Sequence, residues 1–493
     1  MKLSVLLSGL SSYSLYYLGE KVSYIPDLDI TGICADSRRV KKGEIFVCLN
    51  GGNVDSHDFA DDAVEKGAIA LLSERALDSD CLQIVVKDTR ERMSELSSAF
   101  YNFPSKRLKV IGITGTNGKT TTSYMLASIL RSAGKKVGVI GTLGIYYDKK
   151  EIAPELTTPD PIYLQKILCD MLSRNVEYVV MEVSAHALYY KKVSGLTFTA
   201  CIFTNFTQDH LDFFSSMTEY KKAKLRLFQK DVCPLAIVNA DDEVGREIFE
   251  LRGGEKGKVK TYGLKEPSDS FAVITDEGLK ETKFLLNIND RLAHVSLKFT
   301  GLHNVYNALS ASVCAERLGI SMANISDGLN GMSGVKGRLE WVANYNGAEI
   351  FVDFAHTPDG LEKSILSLKK YATGRLVCLF GCGGNRDRSK RPIMGEKAGK
   401  YADFSVLTSD NPRYEDPSDI IVEIEKGFRR FSSSYVCIPE RERAIEYAMR
   451  TLKKGDILLV AGKGAEDYQE EMGIKYDYND EDLIMKIVKR DES

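Results

Sequence analysis

The residues with the clearest chemical potential form a phosphate-binding loop in the first third of the chain. This loop is the run Gly115-Thr116-Asn117-Gly118-Lys119-Thr120-Thr121, and it follows an apolar segment, residues 108–113, that predicts a buried strand. Residues 121–131 predict a helix that ends at Gly134. A strand, a glycine loop and a helix N-terminus in this order direct backbone N–H groups at an anion. The sequence therefore indicates an enzyme driven by a nucleotide.

Two side chains of the loop have distinct predicted roles. Lys119 would reach the terminal phosphates, and the Thr120 hydroxyl would bind Mg²⁺. The strict loop pattern requires glycine at the position of Ile113, whereas the nearest glycine here is Gly112. The strand and helix on either side still favour a phosphate-binding loop over a chance Gly-Lys-Thr at a helix start.

Candidate metal ligands follow the next predicted strands. Glu182 lies near the end of the apolar segment 178–183. A carboxylate there is a candidate Mg²⁺ ligand, although a solvated strand end fits the spacing equally well. If this strand persists, Glu182, Ser184 and His186 lie on one side of it. His210, which follows the next strand, is by residue type a hydrogen-bonding group, because Mg²⁺ prefers oxygen.

The spacing of apolar segments predicts an α/β protein of three domains. At 493 residues the chain is long enough for a domain at 1–105, one at 106–335 and one at 336–493, separated near the linker 102–106 and the glycine-rich turn 331–338. In the second domain, predicted strands at 136–140, 178–183, 199–203 and 235–238 alternate with helical segments, which is typical of a doubly wound P-loop ATPase sheet. The alternation restarts at 350–352, 376–380, 404–407 and 457–460 and predicts a Rossmann-like third domain.

Composition excludes several classes of partner. The formal net charge is -3, from 66 basic and 69 acidic residues, so nothing points to nucleic acid or an anionic membrane. No apolar run approaches the ~18 residues that a membrane span requires, and the amino terminus lacks a signal-peptide core. The ten cysteines are scattered and form no Cys-x-x-Cys motif. We therefore expect a protein of the reducing cytoplasm, without a zinc site, and a monomer.

Further motifs, read together with the phosphate loop, closely resemble the Mur ligase family of bacterial peptidoglycan synthesis. They lie at residues 181–188, 204–212, 220–224, 301–307, 337–338, 352–359, 380–388, 410–413 and 462–468, so the resemblance spans essentially the whole chain. The stretches 410–413 and 462–468 are most similar to the members that add the third residue of the stem peptide. Ala185 and Ala465 depart from a frequent serine and a frequent histidine of the family.

The resemblance implies an amino-terminal domain for a UDP-linked substrate, a central ATPase and a carboxyl-terminal domain for the amino acid. ATP contacts are implied at Gly115, Thr116, Asn117, Gly118, Lys119, Thr120, Thr121, Asn304, Arg338 and Asp353. UDP-substrate contacts are implied at Ser37, Asn53, Thr157, Thr158, Ser184 and Lys192. Amino-acid contacts are implied at Arg386, Asp410, Asn411, Pro412, Arg413, Gly462 and Glu466.

The same resemblance implies a carbamylated lysine at Lys224. A free lysine, with a reference pKa of roughly 10.4, is a cation and a poor Mg²⁺ ligand, whereas addition of CO₂ gives a carboxylate-like group. Lys224 as the carbamate would join Thr120, Glu182 and His210 in the metal shell. Lys119, Glu182, His210 and Lys224 are then the expected catalytic set.

The expected reaction is the ATP-dependent joining of meso-diaminopimelate to UDP-N-acetylmuramoyl-L-Ala-D-Glu through an acyl phosphate. Diaminopimelate is lysine with a second carboxylate at its far end, and the guanidinium of Arg413 suits that group. Arg386 resembles a second carboxylate contact, and Glu466 would bind the distal ammonium.

Three alternatives differ from this expectation. The same ligase could add L-lysine, and Arg413 argues against that. A folylpolyglutamate synthetase has a related central domain but lacks the UDP-binding domain, and here about 105 residues precede the loop. A non-catalytic nucleotide-binding scaffold is disfavoured because Lys119, Glu182, His210 and Lys224 are present together.

Overall fold

Every strand predicted from the apolar segments is a strand in the computed structural model, which describes residues 1–10, 12–51, 54–253 and 257–492. The predicted α/β class is thereby confirmed. The chain divides into two compact units, which are described separately. The first comprises Met1–Gly112, Lys135–Ala200 and Gln229–Pro234, and the second comprises Ile113–Gly134, Cys201–Phe228 and Leu235–Ser493.

The amino-terminal part of the first unit is a six-stranded sheet with helices packed on it. The strands occur in the order Glu20–Val22, Ser14–Tyr17, Leu82–Val85, Ala70–Ser73, Glu44–Val47 and Gly32–Cys34. The helices are Leu3–Leu7, Ala60–Glu65 and Thr89–Phe100, with 3₁₀ turns at Ser56–Phe59 and Pro104–Lys106. Leu6, Ile45, Leu72 and Leu96 are fully buried in its core. The Asp88 carboxylate accepts a hydrogen bond from the Glu91 N–H and so begins the helix Thr89–Phe100.

The remainder of the first unit carries the strand that ends in Glu182. The strands lie in the order Lys150–Ile152, Gly144–Tyr147, Val137–Gly141 and Tyr178–Glu182, and the last two are parallel. The helices are Pro161–Ser173 and Ala185–Tyr189. All residues of Val137–Gly141 and Tyr178–Glu182 are buried, which explains why both are continuous apolar runs.

The second unit begins within the strand Lys109–Thr114 and continues through the phosphate loop. Its first sheet segment has the strands Ala200–Phe203, Ala236–Asn239, Val259–Gly263, Ser270–Glu277, Thr282–Ile288 and Arg291–Leu297 in that order. Its helices are Lys119–Ser132, Met217–Leu225, Glu243–Leu251, Leu302–Arg317 and Met322–Asn330, with a 3₁₀ turn at Arg226–Phe228. The first four strands are parallel and the last two form antiparallel pairs.

A second six-stranded sheet forms the carboxyl-terminal part of this unit. Its strands occur in the order Glu340–Tyr345, Ala348–Asp353, Ile457–Ala461, Leu376–Phe380, Phe404–Leu407 and Tyr435–Cys437. The helices are Pro358–Lys369, Lys390–Tyr401, Pro417–Phe428, Arg441–Thr451 and Asp480–Glu492, and Tyr468–Glu471 pairs with Ile474–Asp477 in a hairpin. All strand pairs except the first are parallel, so their carboxyl ends share one edge. The residues that follow this edge include 410–413 and 462–466.

No helix in the described parts of the chain is long and apolar enough to cross a membrane. All ten cysteines are free thiols, and Cys437 is the exposed one among them.

A fully buried ion pair holds this edge of the carboxyl-terminal sheet. Arg441 donates from Nε and Nη2 to the two carboxylate oxygens of Asp480 at 2.8 and 2.7 Å, and neither side chain is exposed to solvent. Arg441 also donates to the carbonyl oxygens of Ser409 and Ala461 at 3.1 and 3.0 Å. Since these carbonyls directly precede Asp410 and Gly462, the ion pair fixes the start of both candidate binding loops.

We expect Asp480→Asn to destabilise the carboxyl-terminal part of the chain by about 3–5 kcal/mol, because it leaves the Arg441 charge buried without a counter-ion. Urea unfolding followed by tryptophan fluorescence, through Trp341, measures this change. Asp482→Asn is the matched control, since Asp482 is exposed on the same helix. An equal urea midpoint for both variants would contradict the structural role of the pair.

Candidate active site

The phosphate loop begins at Gly115 because the preceding strand runs through Thr114. Gly115 has φ +151°, and a Cβ there would lie 1.9 Å from Thr204 Oγ1. Gly112 lies within the strand, and a Cβ there would approach the Phe198 ring at 2.8 Å. Gly115 is therefore the loop glycine, and Gly112 serves packing, which accounts for the departure from the strict pattern.

A neighbouring segment fixes the backbone of the loop. The Thr116 N–H donates to the Asn205 carbonyl at 2.8 Å, and the Asn117 N–H donates to Asn205 Oδ1 at 2.9 Å. The Thr207 N–H in turn donates to Thr116 Oγ1 at 3.0 Å. The helix begins at Lys119, so the N–H groups of its first turn have no intrahelical acceptor. These first-turn N–H groups are the natural donors to a phosphate.

Lys119 and Thr120 lie beside residues from two parts of the second unit. Lys119 Nζ donates to the carbonyls of Gly115 and Thr116 at 2.9 and 2.7 Å. Thr120 Oγ1 accepts a hydrogen bond from Arg338 Nη2 at 3.0 Å. The structure thus brings together Arg338 and the loop, two elements predicted separately to contact ATP.

Asp353 and Asn304, the other residues predicted to bind ATP, are buried and form hydrogen bonds with residues nearby in the sequence. Asp353 accepts hydrogen bonds from the Leu339 N–H at 2.6 Å, the Ala355 N–H at 3.1 Å and the Ser364 hydroxyl at 2.8 Å. Asn304 Oδ1 accepts from Asn307 Nδ2 at 3.3 Å. A Cβ on Gly118 would lie 2.4 Å from Asn307 Oδ1, so Asn307 links Asn304 to the loop.

Lys224 is a buried amine next to the phosphate loop. Its side chain is 1% exposed, and Nζ donates to the Gly115 carbonyl at 2.8 Å and lies 4.5 Å from the centre of the Tyr220 ring. Burial, together with the positive charge of Lys119, lowers the pKa of Lys224 well below its ordinary value. Burial therefore disfavours the charged ammonium form, and the neutral amine is the form that can react with CO₂.

Asp209 is a buried acid to which the sequence patterns assign no role. Its carboxylate lies 3.3 Å from His210 Nε2, 3.8 Å from His356 Nε2 and 3.8 Å from Lys390 Nζ. Burial alone would raise the pKa of Asp209, but the neighbouring His356, His210 and Lys390 lower it well below the usual range. In the sequence, the one signal for Asp209 is its position directly before His210, a candidate metal ligand. The contacts from His356 and Lys390 lie about 150 residues away or more and give no local signal.

Glu182 is buried in the first unit and held by Thr142, another residue without a predicted role. Thr142 donates from its N–H to Glu182 Oε1 at 2.9 Å and from its hydroxyl to Oε2 at 3.1 Å. Thr157 Oγ1 lies 3.1 Å from Thr142 Oγ1, and the Thr158 hydroxyl donates to the Glu182 carbonyl at 2.9 Å. These contacts fix the carboxylate that the sequence predicts as a metal ligand.

The strand ends at Glu182, so the condition under which Glu182, Ser184 and His186 would lie on one side of it is not met. The Ser184 hydroxyl accepts a hydrogen bond from the Ala187 N–H and begins the helix Ala185–Tyr189, which contains His186. The Ser184 N–H donates to Thr158 Oγ1 at 3.0 Å. Thr157, Thr158 and Ser184 therefore gather around the end of the strand.

The other predicted UDP-substrate residues lie apart from this group. The Ser37 carbonyl accepts from Lys66 Nζ at 3.0 Å, and Lys192 Nζ lies 2.6 Å from Asp160 Oδ1. Within the described residues, no hydrogen bond joins Ser37 or Lys192 to Thr157, Thr158 or Ser184. Asn53 lies outside the residues that the structure describes.

Lys463 connects the two loops of the predicted amino-acid site. Its fully buried Nζ donates to Asn411 Oδ1 at 2.9 Å and to Glu466 Oε2 at 3.2 Å, and Asn411 Nδ2 donates to the same Glu466 oxygen at 2.9 Å. Burial and the neighbouring Asp410 raise the pKa of Glu466. A Cβ on Gly462 would lie 2.5 Å from Asp410 Oδ2, which explains glycine at that position. Lys463 stands inside the motif at 462–468, but only the tertiary contact reveals its role.

Arg413 is fixed between two other loops. Its Nη1 donates to the Gly384 carbonyl at 2.9 Å, and its Nε lies 3.2 Å from Glu470 Oε2. A Cβ on Gly384 would lie 1.8 Å from the Pro412 carbonyl oxygen, so the loops can approach only through glycine. Arg386 is held more loosely, with Nη1 3.7 Å from Asp212 Oδ2 and 51% of its side chain exposed.

The predicted metal site depends on unusual ligands. In the described residues, no group of three or more His, Cys, Asp and Glu side chains could hold a metal ion. The predicted Mg²⁺ shell contains a threonine and a lysine besides Glu182 and His210. Hydroxyl, carboxylate and carbamate oxygens are the hard donors that Mg²⁺ prefers, so the donor set fits the ion only with Lys224 as the carbamate.

Three family models match the chain. They are the Mur ligase middle domain over residues 113–315, the Mur ligase glutamate ligase domain over residues 337–464 and the Mur ligase family catalytic domain over residues 29–101.

Similar proteins cover almost the whole chain. A UDP-N-acetylmuramoyl-L-alanyl-D-glutamate--2,6-diaminopimelate ligase of Caldanaerobacter subterraneus subsp. tengcongensis is 40% identical over 95% of this chain and 96% of its own length. The enzyme of the same name from Geobacillus thermodenitrificans is 40% identical over 99% of each chain. A solved structure of a ligase with this name aligns with a TM-score of 0.70 and 30% identity over 96% of this chain and 98% of that chain. The chain therefore belongs to the Mur ligase family, as its motifs predicted.

Proposed function

We propose that this Mur ligase joins meso-2,6-diaminopimelate to UDP-N-acetylmuramoyl-L-Ala-D-Glu with the energy of ATP, in the synthesis of peptidoglycan precursors. The observation that carries the proposal is the fixed guanidinium of Arg413, which follows the carboxyl edge of the six-stranded carboxyl-terminal sheet. The relatives named above carry diaminopimelate in their names, and their similarity supports the same substrate here.

The chemistry follows from the cost of an amide bond in water. The γ-phosphoryl group of ATP passes to a carboxylate of the D-Glu residue and forms an acyl phosphate, with ADP as the leaving group. The amine of diaminopimelate then attacks the acyl carbon, and inorganic phosphate leaves as the amide forms. Lys119 and the N–H groups of the first helical turn would stabilise the phosphate oxygens during transfer. Arg338, which donates to Thr120 Oγ1, would bring a further positive charge to the nucleotide.

We propose that Mg²⁺ is held by Thr120, Glu182, His210 and the carbamate of Lys224. Bound Mg²⁺ supplies positive charge that offsets the repulsion between the anionic reactants. Thr142 would keep both carboxylate oxygens of Glu182 oriented. Burial would favour the uncharged amine of Lys224, which is the form that adds CO₂. Asp209 would orient His210 through the 3.3 Å contact with Nε2.

The two ends of diaminopimelate require different partners. Arg413, with Arg386 as a second contact, would bind the far carboxylate, and Glu466 would bind the distal ammonium. Asp410, Asn411, Pro412 and Gly462 shape the walls of this site. In the first unit, the proposed contacts of the UDP-linked substrate are Ser37, Asn53, Thr157, Thr158, Ser184 and Lys192. We further propose a cytoplasmic monomer, in keeping with the scattered free thiols.

Two of the alternatives lose support. The match of the Mur ligase family catalytic domain to residues 29–101 covers the region that a folylpolyglutamate synthetase lacks. The family membership disfavours a scaffold without activity. The lysine-adding alternative is tested directly by phosphate release with UDP-N-acetylmuramoyl-dipeptide, comparing diaminopimelate with lysine. Equal rates with the two amino acids would overturn the proposed specificity.

We expect Gly115→Ala to reduce kcat/KM for ATP by about 100-fold, because the new Cβ would displace the loop from Thr204. Phosphate release at varied ATP measures the effect. Gly134→Ala is the control, since Gly134 has φ +74° but no atom lies within 4 Å of the position that a Cβ would take there. It should lose about 1–2 kcal/mol of stability and keep its activity. Equal ATP kinetics in both variants would remove Gly115 from the nucleotide site.

Lys224→Ala should lower ligation at least about 100-fold, because it removes an anionic metal ligand. Added formate or acetate should restore part of the activity by replacing the carbamate. The carbamate itself should give a carbon-13 NMR signal in wild-type protein supplied with labelled bicarbonate. Lys222→Ala, at an exposed position of the same helix, is the control and should be active. No labelled signal and an active Lys224→Ala variant would refute the modification.

Arg413→Ala should lower kcat/KM for diaminopimelate by on the order of 30-fold to several thousand-fold, since it removes the partner of a desolvated carboxylate. Wild-type enzyme should disfavour lysine by about 10⁴ or more, because the site is built around a polar group that lysine lacks. The variant should narrow this gap mainly by harming the better substrate. Steady-state kinetics of both proteins with both amino acids decide the point. An equal loss for the two substrates would show that Arg413 is not the selector.

A further inference from the structure

Glu470 lies beside Arg413 and is absent from the set of residues predicted to bind the amino acid. It belongs to the hairpin of Tyr468–Glu471 and Ile474–Asp477. Its Oε2 lies 3.2 Å from Arg413 Nε, with 22% of the Glu470 side chain and 17% of the Arg413 side chain exposed. A carboxylate next to a carboxylate-binding arginine opposes the ligand charge, so its place here requires a compensating benefit.

The hairpin also forms two hydrogen bonds with the backbone of Arg413. The Arg413 N–H donates to the Glu470 carbonyl at 3.0 Å, and the Met472 N–H donates to the Arg413 carbonyl at 2.7 Å. Arg413 itself has φ +53°, an unfavourable value for a residue with a side chain. These two hydrogen bonds hold the residue in that conformation.

The turn of the hairpin makes a further close contact with the same loop. Met472 and Gly473 have φ of +48° and +78°, as a two-residue hairpin turn requires. A Cβ on Gly473 would lie 2.6 Å from the Tyr414 hydroxyl oxygen. The hairpin thus rests against both Arg413 and its neighbour, and it can act as a fixed support.

The two side-chain contacts of Arg413 leave one edge of the guanidinium available. Nε forms an ion pair with Glu470 at 3.2 Å, and Nη1 donates one hydrogen to the Gly384 carbonyl. Of the five N–H donors of this guanidinium, the described residues accept a hydrogen bond from one, on Nη1. A carboxylate prefers two parallel N–H groups of this kind. The two contacts therefore restrict rotation of the group and leave N–H donors, including both on Nη2, for a ligand.

We propose that Glu470 is a positioning residue that holds Arg413 for the far carboxylate of the amino-acid substrate. This inference rests on the proposed function. Without Glu470 the arginine must be ordered when the substrate binds, and ordering a long side chain weakens binding on the order of three- to tenfold. Because Glu470 contacts the Nε side, it lies away from the edge that the ligand would use, which limits its repulsion.

Kinetics with diaminopimelate at saturating ATP and UDP-linked substrate test the proposal. Glu470→Ala should raise KM for diaminopimelate about three- to tenfold with kcat nearly unchanged. Glu470→Gln keeps an acceptor for Nε and should restore most of the affinity. In an Arg413→Ala background, Glu470→Ala should add no further loss. Glu471→Ala is the matched control, because its side chain is exposed on the same hairpin.

Several results would overturn the proposal. They are an unchanged or lower KM in Glu470→Ala, an equal loss in Glu470→Gln, and an undiminished effect in the Arg413→Ala background. Glu470→Val keeps a strand-forming residue and repeats the measurement if the alanine variant is unstable. Wild-type protein that releases no phosphate with diaminopimelate would instead overturn the proposed function, and this inference with it. The two failures are therefore distinguishable.

Discussion

A charge buried at the end of a parallel strand must be paired, and this constraint governs the candidate site. The Arg441–Asp480 pair fixes the carbonyls before Asp410 and Gly462. Lys463 joins Asn411 to Glu466 in the same way, and Asp209 is surrounded by two histidines and a lysine. An unpaired charge in these places would cost several kcal/mol. Pairing therefore forces the loops into one arrangement and leaves the binding groups preorganised.

Lys224 is the instructive exception. Its buried amine contacts a carbonyl and an aromatic ring but forms no salt bridge with a carboxylate of the described second unit. A protonated amine in this position would be costly, and the nearby Lys119 makes it more so. The proposed carbamylation would replace that unfavourable cation by an anion that Mg²⁺ and Lys119 could stabilise. The same burial that disfavours lysine as a cation thus prepares it for the chemistry that the family resemblance implies.

The sequence predicted the strands and the phosphate loop well, because buried parallel strands are continuous apolar runs and glycine loops follow them. It missed Thr142, Asp209, Lys463 and Glu470, whose roles arise from contacts between segments far apart in the chain. Asp209 and Lys390, for example, are 181 positions apart in the sequence. His186 lies in a helix and not on the strand for a local reason, since Ser184 can either continue a strand or begin a helix. In the structure Ser184 accepts from the Ala187 N–H and donates to Thr158 Oγ1, and the helix begins there.

Contacts within the second unit link the nucleotide loop to the part of the chain that carries Arg413. Asn117 Nδ2 donates to Asp359 Oδ2 at 3.0 Å, and Arg338 donates to Thr120 Oγ1. Asp359 lies in the first turn of the helix Pro358–Lys369, and Arg338 directly precedes the carboxyl-terminal sheet. ATP bound at the loop would change the surroundings of both residues. Since linkage is reciprocal, an amino acid that stabilises the carboxyl-terminal part in this position must also favour the nucleotide. Direct hydrogen bonds therefore join the phosphate loop to the carboxyl-terminal part of the chain.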